Sequence, residues 1–130
     1  MYGQTGAGKT HTILGKDSKT NEFSGIIYSG LVDLFDTAQK EQDSKIKFTC
    51  SYMEIYNELV FDLLSPKESF GDTLTIYQDS NNNKFIVKDK IQMKLKSVED
   101  AMKVIQKGEK NRTYGETCFN HKSSRSHTIF

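Results

Sequence analysis

The chain has 130 residues, 35% of them hydrophobic and 27% charged, with a net charge of +1, a length that suits one domain with a real core. Nothing in that balance predicts a nucleic-acid coat or an acidic tail, no low-complexity tract appears, and neither a nucleic-acid nor a membrane partner is expected. No apolar run approaches the ~20 residues needed to span a bilayer, and no charged segment followed by an apolar one opens the chain, so it reads as soluble and unexported. Cys50 and Cys118 have neither CxxC nor Cys/His spacing, which leaves reduced cytosolic thiols as the default.

Residues Gly3-Gln4-Thr5-Gly6-Ala7-Gly8-Lys9-Thr10 form a complete P-loop motif. A polyanionic phosphate tail must meet several backbone N–H groups at once, which requires bends unobstructed by Cβ atoms, and Gly3, Gly6 and Gly8 supply them. Lys9 offers a compact positive charge, and the Thr10 hydroxyl can ligate Mg²⁺ where a helix begins. A chance match in a chain this long arises on the order of a few times in a thousand, given glycine at about 7% of residues, so accident is the weaker reading. A P-loop ordinarily follows a buried strand, and only Met1 and Tyr2 precede Gly3, so the sequence reads as cut in front of its motif.

His11-Thr12-Ile13-Leu14 continues that helix for a turn or two before Gly15, and 16–24 is a polar loop. Ile27, Leu31, Leu34, Phe35 and Ala38 have the spacing of one buried helical face, which predicts a helix from Gly25 to Lys40. From Lys45, the alternation of Ile46, Phe48, Cys50 and Tyr52, followed by Met53-Glu54-Ile55-Tyr56, predicts one long strand entering a sheet interior. Asn57 to Leu64 reads as short helical or irregular structure, ended by Pro66, the chain's single proline.

Alternating runs from Leu74 to Leu95 around Asp79-Ser80-Asn81-Asn82-Asn83 predict a hairpin turning at the asparagines. Ser97 with Asp100 makes a start resembling a capping box. Val98, Ala101, Met102 and Ile105 give the next helix its buried stripe, fading near Gly108. Asn111-Arg112-Thr113 matches a glycosylation acceptor, a signal with meaning only in a secreted chain.

Asn120-His121-Lys122-Ser123-Ser124-Arg125-Ser126-His127 packs hydroxyls, a guanidinium and imidazoles into eight residues. A nucleotide hydrolase needs such a segment to sense the γ-phosphate, complete the Mg²⁺ shell and order water. A solvated polar loop or a phosphorylation site accounts for the same composition.

Tyr2 to Thr12 taken with Asn120-x-x-Ser123-Ser124-Arg125-Ser126-His127 resembles the P-loop and switch I of the kinesin motor domain. Gly25-Ile26-Ile27, Ser51 to Glu58 and Asp62-Leu63-Leu64 resemble other kinesin segments, so the likeness spans the chain. Myosins are similar at Gly-Ala-Gly-Lys-Thr but place Glu-Ser where Gln4-Thr5 stand. The resemblance implies an α/β P-loop NTPase fragment, a mostly β central sheet flanked by helices. It implies ATP and Mg²⁺ as ligands and a microtubule as partner. Gly3, Gln4, Thr5, Gly6, Ala7, Gly8, Lys9 and Thr10 would wrap the phosphates, and Thr10 and Ser124 would meet the metal. Asn120 and Ser123 would sense the γ-phosphate and order water. Arg125 would latch onto a switch II glutamate absent from these residues.

Lys84, Lys88, Lys90, Lys94 and Lys96 fall in a region similar to a tubulin-facing lobe, with a solvated basic edge as the alternative. Residues 107–117 and 126–130 most resemble centromere-associated kinesins, which implies a place on cytoplasmic microtubules, with those of the spindle or kinetochore as the narrower expectation. The preceding strands, switch II, microtubule-binding helices and neck are absent, so the expectation is a motor ATPase, dimeric through a coiled coil outside these residues, whose present segment is inactive alone. The alternative is a truncated module that holds nucleotide or a partner without turnover.

Overall fold

A computed structural model describes residues 3–4, 6–15, 24–41, 46–66, 69, 71–80, 83–119 and 125–130, with the backbone alone for 114–119. It divides into two units. The first comprises Met1–Phe48 with Leu95–Met102, and the second Thr49–Lys94 with Lys103–Phe130.

In the first unit, α1 (Lys9–Leu14) ends on Gly15, whose left-handed torsion (φ 60°) lets its N–H donate to the His11 carbonyl at 2.6 Å. Gly25 lies backbone to backbone against this end, and its N–H donates to the Leu14 carbonyl at 3.2 Å. A Cβ on Gly25 would run into the Ile13 carbonyl oxygen, so only glycine lets the start of α2 (Ile26–Lys40) come so close. On α2, Leu31 is buried and Phe35 packs a tilted ring on Phe48 at a centroid distance of 4.6 Å. Leu34, expected on the same face, is 54% exposed, because the covered stripe through residues 27, 31, 35 and 38 is narrower than the apolar spacing suggests. The polar loop expected over 16–24 lies outside the described residues except for Ser24.

The predicted long strand is interrupted. β1 (Phe48–Cys50) stops two residues before β2 (Met53–Tyr56) and pairs elsewhere, with β7 (Met93–Leu95). At the break, the buried Tyr52 gives its carbonyl to the Leu63 N–H at 2.9 Å. The irregular segment expected after Asn57 is instead β3 (Leu59–Asp62), antiparallel to β2 with Ile55 opposite Val60 and Tyr56 opposite Leu59. Asn57 (φ 49°) and Glu58 (φ 63°) make the tight turn. Two consecutive left-handed residues match the twist of a two-residue hairpin, but Asn-Glu lacks the glycine that would have announced it.

β4 (Thr73–Leu74) pairs with β3, and β8 (His127–Ile129) pairs antiparallel with β2, giving a four-stranded sheet in the order β4-β3-β2-β8. β2 is thus an interior strand, as its two-sided apolar character predicts. The expected asparagine hairpin forms as β5 (Ile76–Asp79) and β6 (Lys84–Val87), but it is shorter than the alternating run, whose ends Leu74 and Leu95 join β4 and β7. Asn81 and Asn82 lie outside the described residues; Asn83 takes a left-handed φ of 54°.

α3 (Val98–Phe119) starts as the capping pattern predicts: the Asp100 N–H donates to Ser97 Oγ at 3.3 Å, while the Asp100 carboxylate accepts the Lys96 N–H at 3.2 Å. It does not fade at Gly108. Tyr52 explains the glycine, since a Cβ there would collide with the Tyr52 ring. Just before it, Lys107 Nζ donates to the Leu64 carbonyl at 2.9 Å, and beyond it Asn111 Nδ2 donates to the Leu63 and Ser65 carbonyls at 2.7 and 3.1 Å. These bonds satisfy the carbonyls that follow β3 and carry the helix past its apolar stripe. Leu63, Leu64 and Ile105 are almost wholly buried and centre the second unit's core. Asp62, 4% exposed, accepts the Leu64 N–H at 2.8 Å on Oδ1 and the Ile91 N–H at 2.6 Å on Oδ2. No described helix is long and apolar enough to cross a membrane.

Candidate functional site

Residues 3–10 form a tight loop that enters α1. The Ala7 N–H donates to the Gln4 carbonyl at 3.2 Å, and Gly6 and Gly8 take left-handed torsions of 84° and 77°. Side chains rarely tolerate those torsions, which accounts for two of the three motif glycines. Gly3 is different: its torsion is not left-handed, and a Cβ there would touch Ala7 Cβ at an ordinary 3.4 Å. Among the described residues, nothing lies within 4 Å of the Cβ positions of Gly6 and Gly8, so none of them covers the loop's outer rim.

Lys9 folds back across this loop and donates to the Gly3 carbonyl at 2.5 Å and the Gln4 carbonyl at 2.9 Å. The ammonium, with its three donors, is therefore tied to two of the loop's own carbonyls. Thr12 ties the helix start to the loop, with its N–H and hydroxyl both donating to the Gly8 carbonyl at 2.9 and 3.1 Å. Thr10 is exposed in the first turn of α1. A turn of left-handed glycines, a lysine tied to the loop and an exposed hydroxyl one residue later suit a chain of phosphates with a hard divalent cation. Thr5 lies outside the described residues.

Of the second constellation, Asn120, Ser123 and Ser124 lie outside the described residues. Arg125 is described and exposed, Ser126 is half-buried, and His127 is exposed as the first residue of β8, opposite Ile55. The loop at 3–10 belongs to the first unit and Arg125 to His127 to the second.

The motifs do not reveal the polar cluster beside β8. Arg112 Nε donates to Glu54 Oε1 at 3.1 Å, Arg112 Nη2 donates to Ser126 Oγ at 3.2 Å, and Tyr52 OH donates to Glu109 Oε1 at 2.6 Å. Burial and the adjacent Glu109 carboxylate push the Tyr52 hydroxyl well above the ordinary tyrosine range. One signal was present in the sequence: Glu54 is a charge inside an apolar interior strand, and such a charge requires a partner.

A family model described as the kinesin motor domain matches residues 1–130. The chain belongs to the kinesin motor domain family. This kinesin segment is 42% identical over 99% of its length to human centromere-associated protein E, of which it covers 5%. It is 39% identical over 98% of its length to the kinesin-like protein KIN-14P of Arabidopsis thaliana, covering 13% of that protein. A solved structure of a fast kinesin superposes with a TM-score of 0.80 at 32% identity, over 98% of this chain and 35% of that one. That likeness bears out the P-loop NTPase fold. The kinesin segment thus spans a small part of each of these relatives.

Proposed function

We propose that the protein carrying this segment is an ATP-driven microtubule motor, and that residues 3–10 are its phosphate site. The observation that carries the reading is the match of the kinesin motor family along the whole chain, with a P-loop motif at one end and the Asn-x-x-Ser-Ser-Arg motif at the other. Gly6 and Gly8 turn backbone N–H groups toward the phosphates, and Lys9 supplies positive charge to the β and γ positions. Thr10 and Ser124 offer hydroxyl oxygens to a magnesium ion, which when bound neutralises charge developing between the phosphates. Asn120 and Ser123 order the attacking water, and Arg125 closes the site by pairing with a carboxylate from elsewhere in the full-length protein. Gly3, Gln4, Thr5 and Ala7 complete the loop.

Exposed Lys84, Lys88 and Lys94, on and after the β5–β6 hairpin, form the basic part of a tubulin-facing lobe. Lys90 is partly covered and donates to the Val87 carbonyl at 3.4 Å. Lys96, also exposed, belongs to the other unit and extends the proposed basic set. Dimerisation through a coiled coil and a place on spindle or kinetochore microtubules are the narrower parts of the proposal. The 42% identity to the centromere-associated protein supports the latter. These 130 residues alone should show no turnover, because they cover only 35% of the fast-kinesin chain.

The deciding experiment is Lys9→Ala in the full-length protein. Microtubule-stimulated ATP hydrolysis should vanish while the protein stays folded, and unchanged hydrolysis would refute the phosphate assignment.

A further inference from the structure

From α3, the Arg112 side chain reaches both Glu54 of β2 and Ser126, the residue before β8. The Arg112 side chain is 11% exposed and that of Glu54 is 5% exposed, so their 3.1 Å contact is an ion pair removed from water. Such a pair is weak evidence for stability, because the cost of desolvating both charges offsets their attraction. A guanidinium does add direction, since its donors lie in one rigid plane. With Nε fixed on Glu54 of β2, Nη2 is aimed at the Ser126 hydroxyl, 3.2 Å away. Arg112 Nη1 also lies 3.9 Å from Glu109 Oε2, one turn back on α3, and Glu109 is itself held by the Tyr52 hydroxyl. The Tyr52 ring meets Phe130 edge-on at 5.5 Å. The cluster therefore grips β8 on both sides: Ser126 just before it and Phe130 just after.

Ser126 directly follows Arg125, the last residue to which a catalytic role is assigned in the switch motif, which itself runs on through His127. We propose that Arg112, oriented by Glu54, is a positioning residue for hydrolysis: by holding Ser126 it fixes the point where the switch segment joins the sheet. This rests on the motor reading above. Placement errors of about an ångström in a reacting group cost up to about a hundredfold in rate, so a fixed departure point bears on kcat more than on nucleotide affinity.

The test uses the full-length protein, with steady-state ATP hydrolysis at saturating microtubules and thermal melting for each variant. Ser126→Ala, which leaves the Arg112 to Glu54 pair intact, should lower kcat about tenfold with little change in KM for ATP and in Tm. Ser126→Thr, which keeps the hydroxyl, should restore kcat. Arg112→Lys should lower kcat similarly, and the double variant should be no worse than the weaker single, a coupling of about fivefold or more. Wild-type kcat in folded Ser126→Ala, or losses that multiply in the double variant, would overturn the inference. If Arg112→Lys does not fold, Ser126→Ala and Ser126→Thr decide it. Absence of microtubule-stimulated hydrolysis in the unmodified full-length protein overturns the motor reading and this inference with it. Hydrolysis lost in Lys9→Ala but unchanged in Ser126→Ala overturns this inference alone.

Discussion

Asp62 and Gly108 show how much a single residue holds in this segment. Both carboxylate oxygens of Asp62 accept backbone N–H groups, the buried one of Leu64 and the partly buried one of Ile91. Asp62→Asn keeps the shape but turns one acceptor into a donor facing a donor. It should cost about 2–3 kcal/mol in denaturant unfolding of the full-length protein, more than an exposed aspartate would. Gly108 has the opposite logic. In an exposed helix Gly→Ala gains up to ~1 kcal/mol, whereas here the added methyl meets the Tyr52 ring and Gly108→Ala should lose about 1–3 kcal/mol. A stabilised Gly108→Ala would show that the ring moves aside freely.

Among the elements, the β2–β3 hairpin carries its strain in the turn. Asn57 accepts a left-handed torsion readily, while Glu58 pays for its φ of 63° with Cβ crowding. Glu58→Gly creates the Asn-Gly pair that such turns favour, and should raise the unfolding midpoint by the equivalent of about 0.5–1 kcal/mol. For α3, the start was legible in Ser97 and Asp100, but its length was not. Lys107, Asn111 and Arg112 carry it past Gly108 through bonds to residues 43 to 58 positions away in sequence, and local periodicity cannot register those. The Asn111 amide is engaged at two carbonyls, which gives the acceptor-like Asn-Arg-Thr a structural reason.

At the scale of the whole molecule, stability should respond to alkaline pH through Tyr52. Its folded-state pKa is raised above the ordinary 10.0, by burial first and by Glu109 second. The neutral phenol is therefore the form that folding favours. Its contribution is fully present below pH 10 and is lost as pH rises beyond the unfolded-state value. Urea midpoints of the full-length protein should fall above that pH, and Tyr52→Phe should flatten the fall; an unchanged slope would place the titration elsewhere.

By itself, the sequence determined the family, the glycine turn of the P-loop motif and most element types, because glycine torsions, helical spacing and capping are local and leave local marks. It misplaced what depends on partners distant in the chain: the break at Ser51 and Tyr52, the second strand of the hairpin and the extension of α3. Only the tertiary structure decided that Glu54, a charge in an apolar strand, is answered by Arg112, 58 residues later, and that the same guanidinium reaches Ser126. The physical reason is that a buried charge demands a partner without specifying which, and the fold alone chooses it.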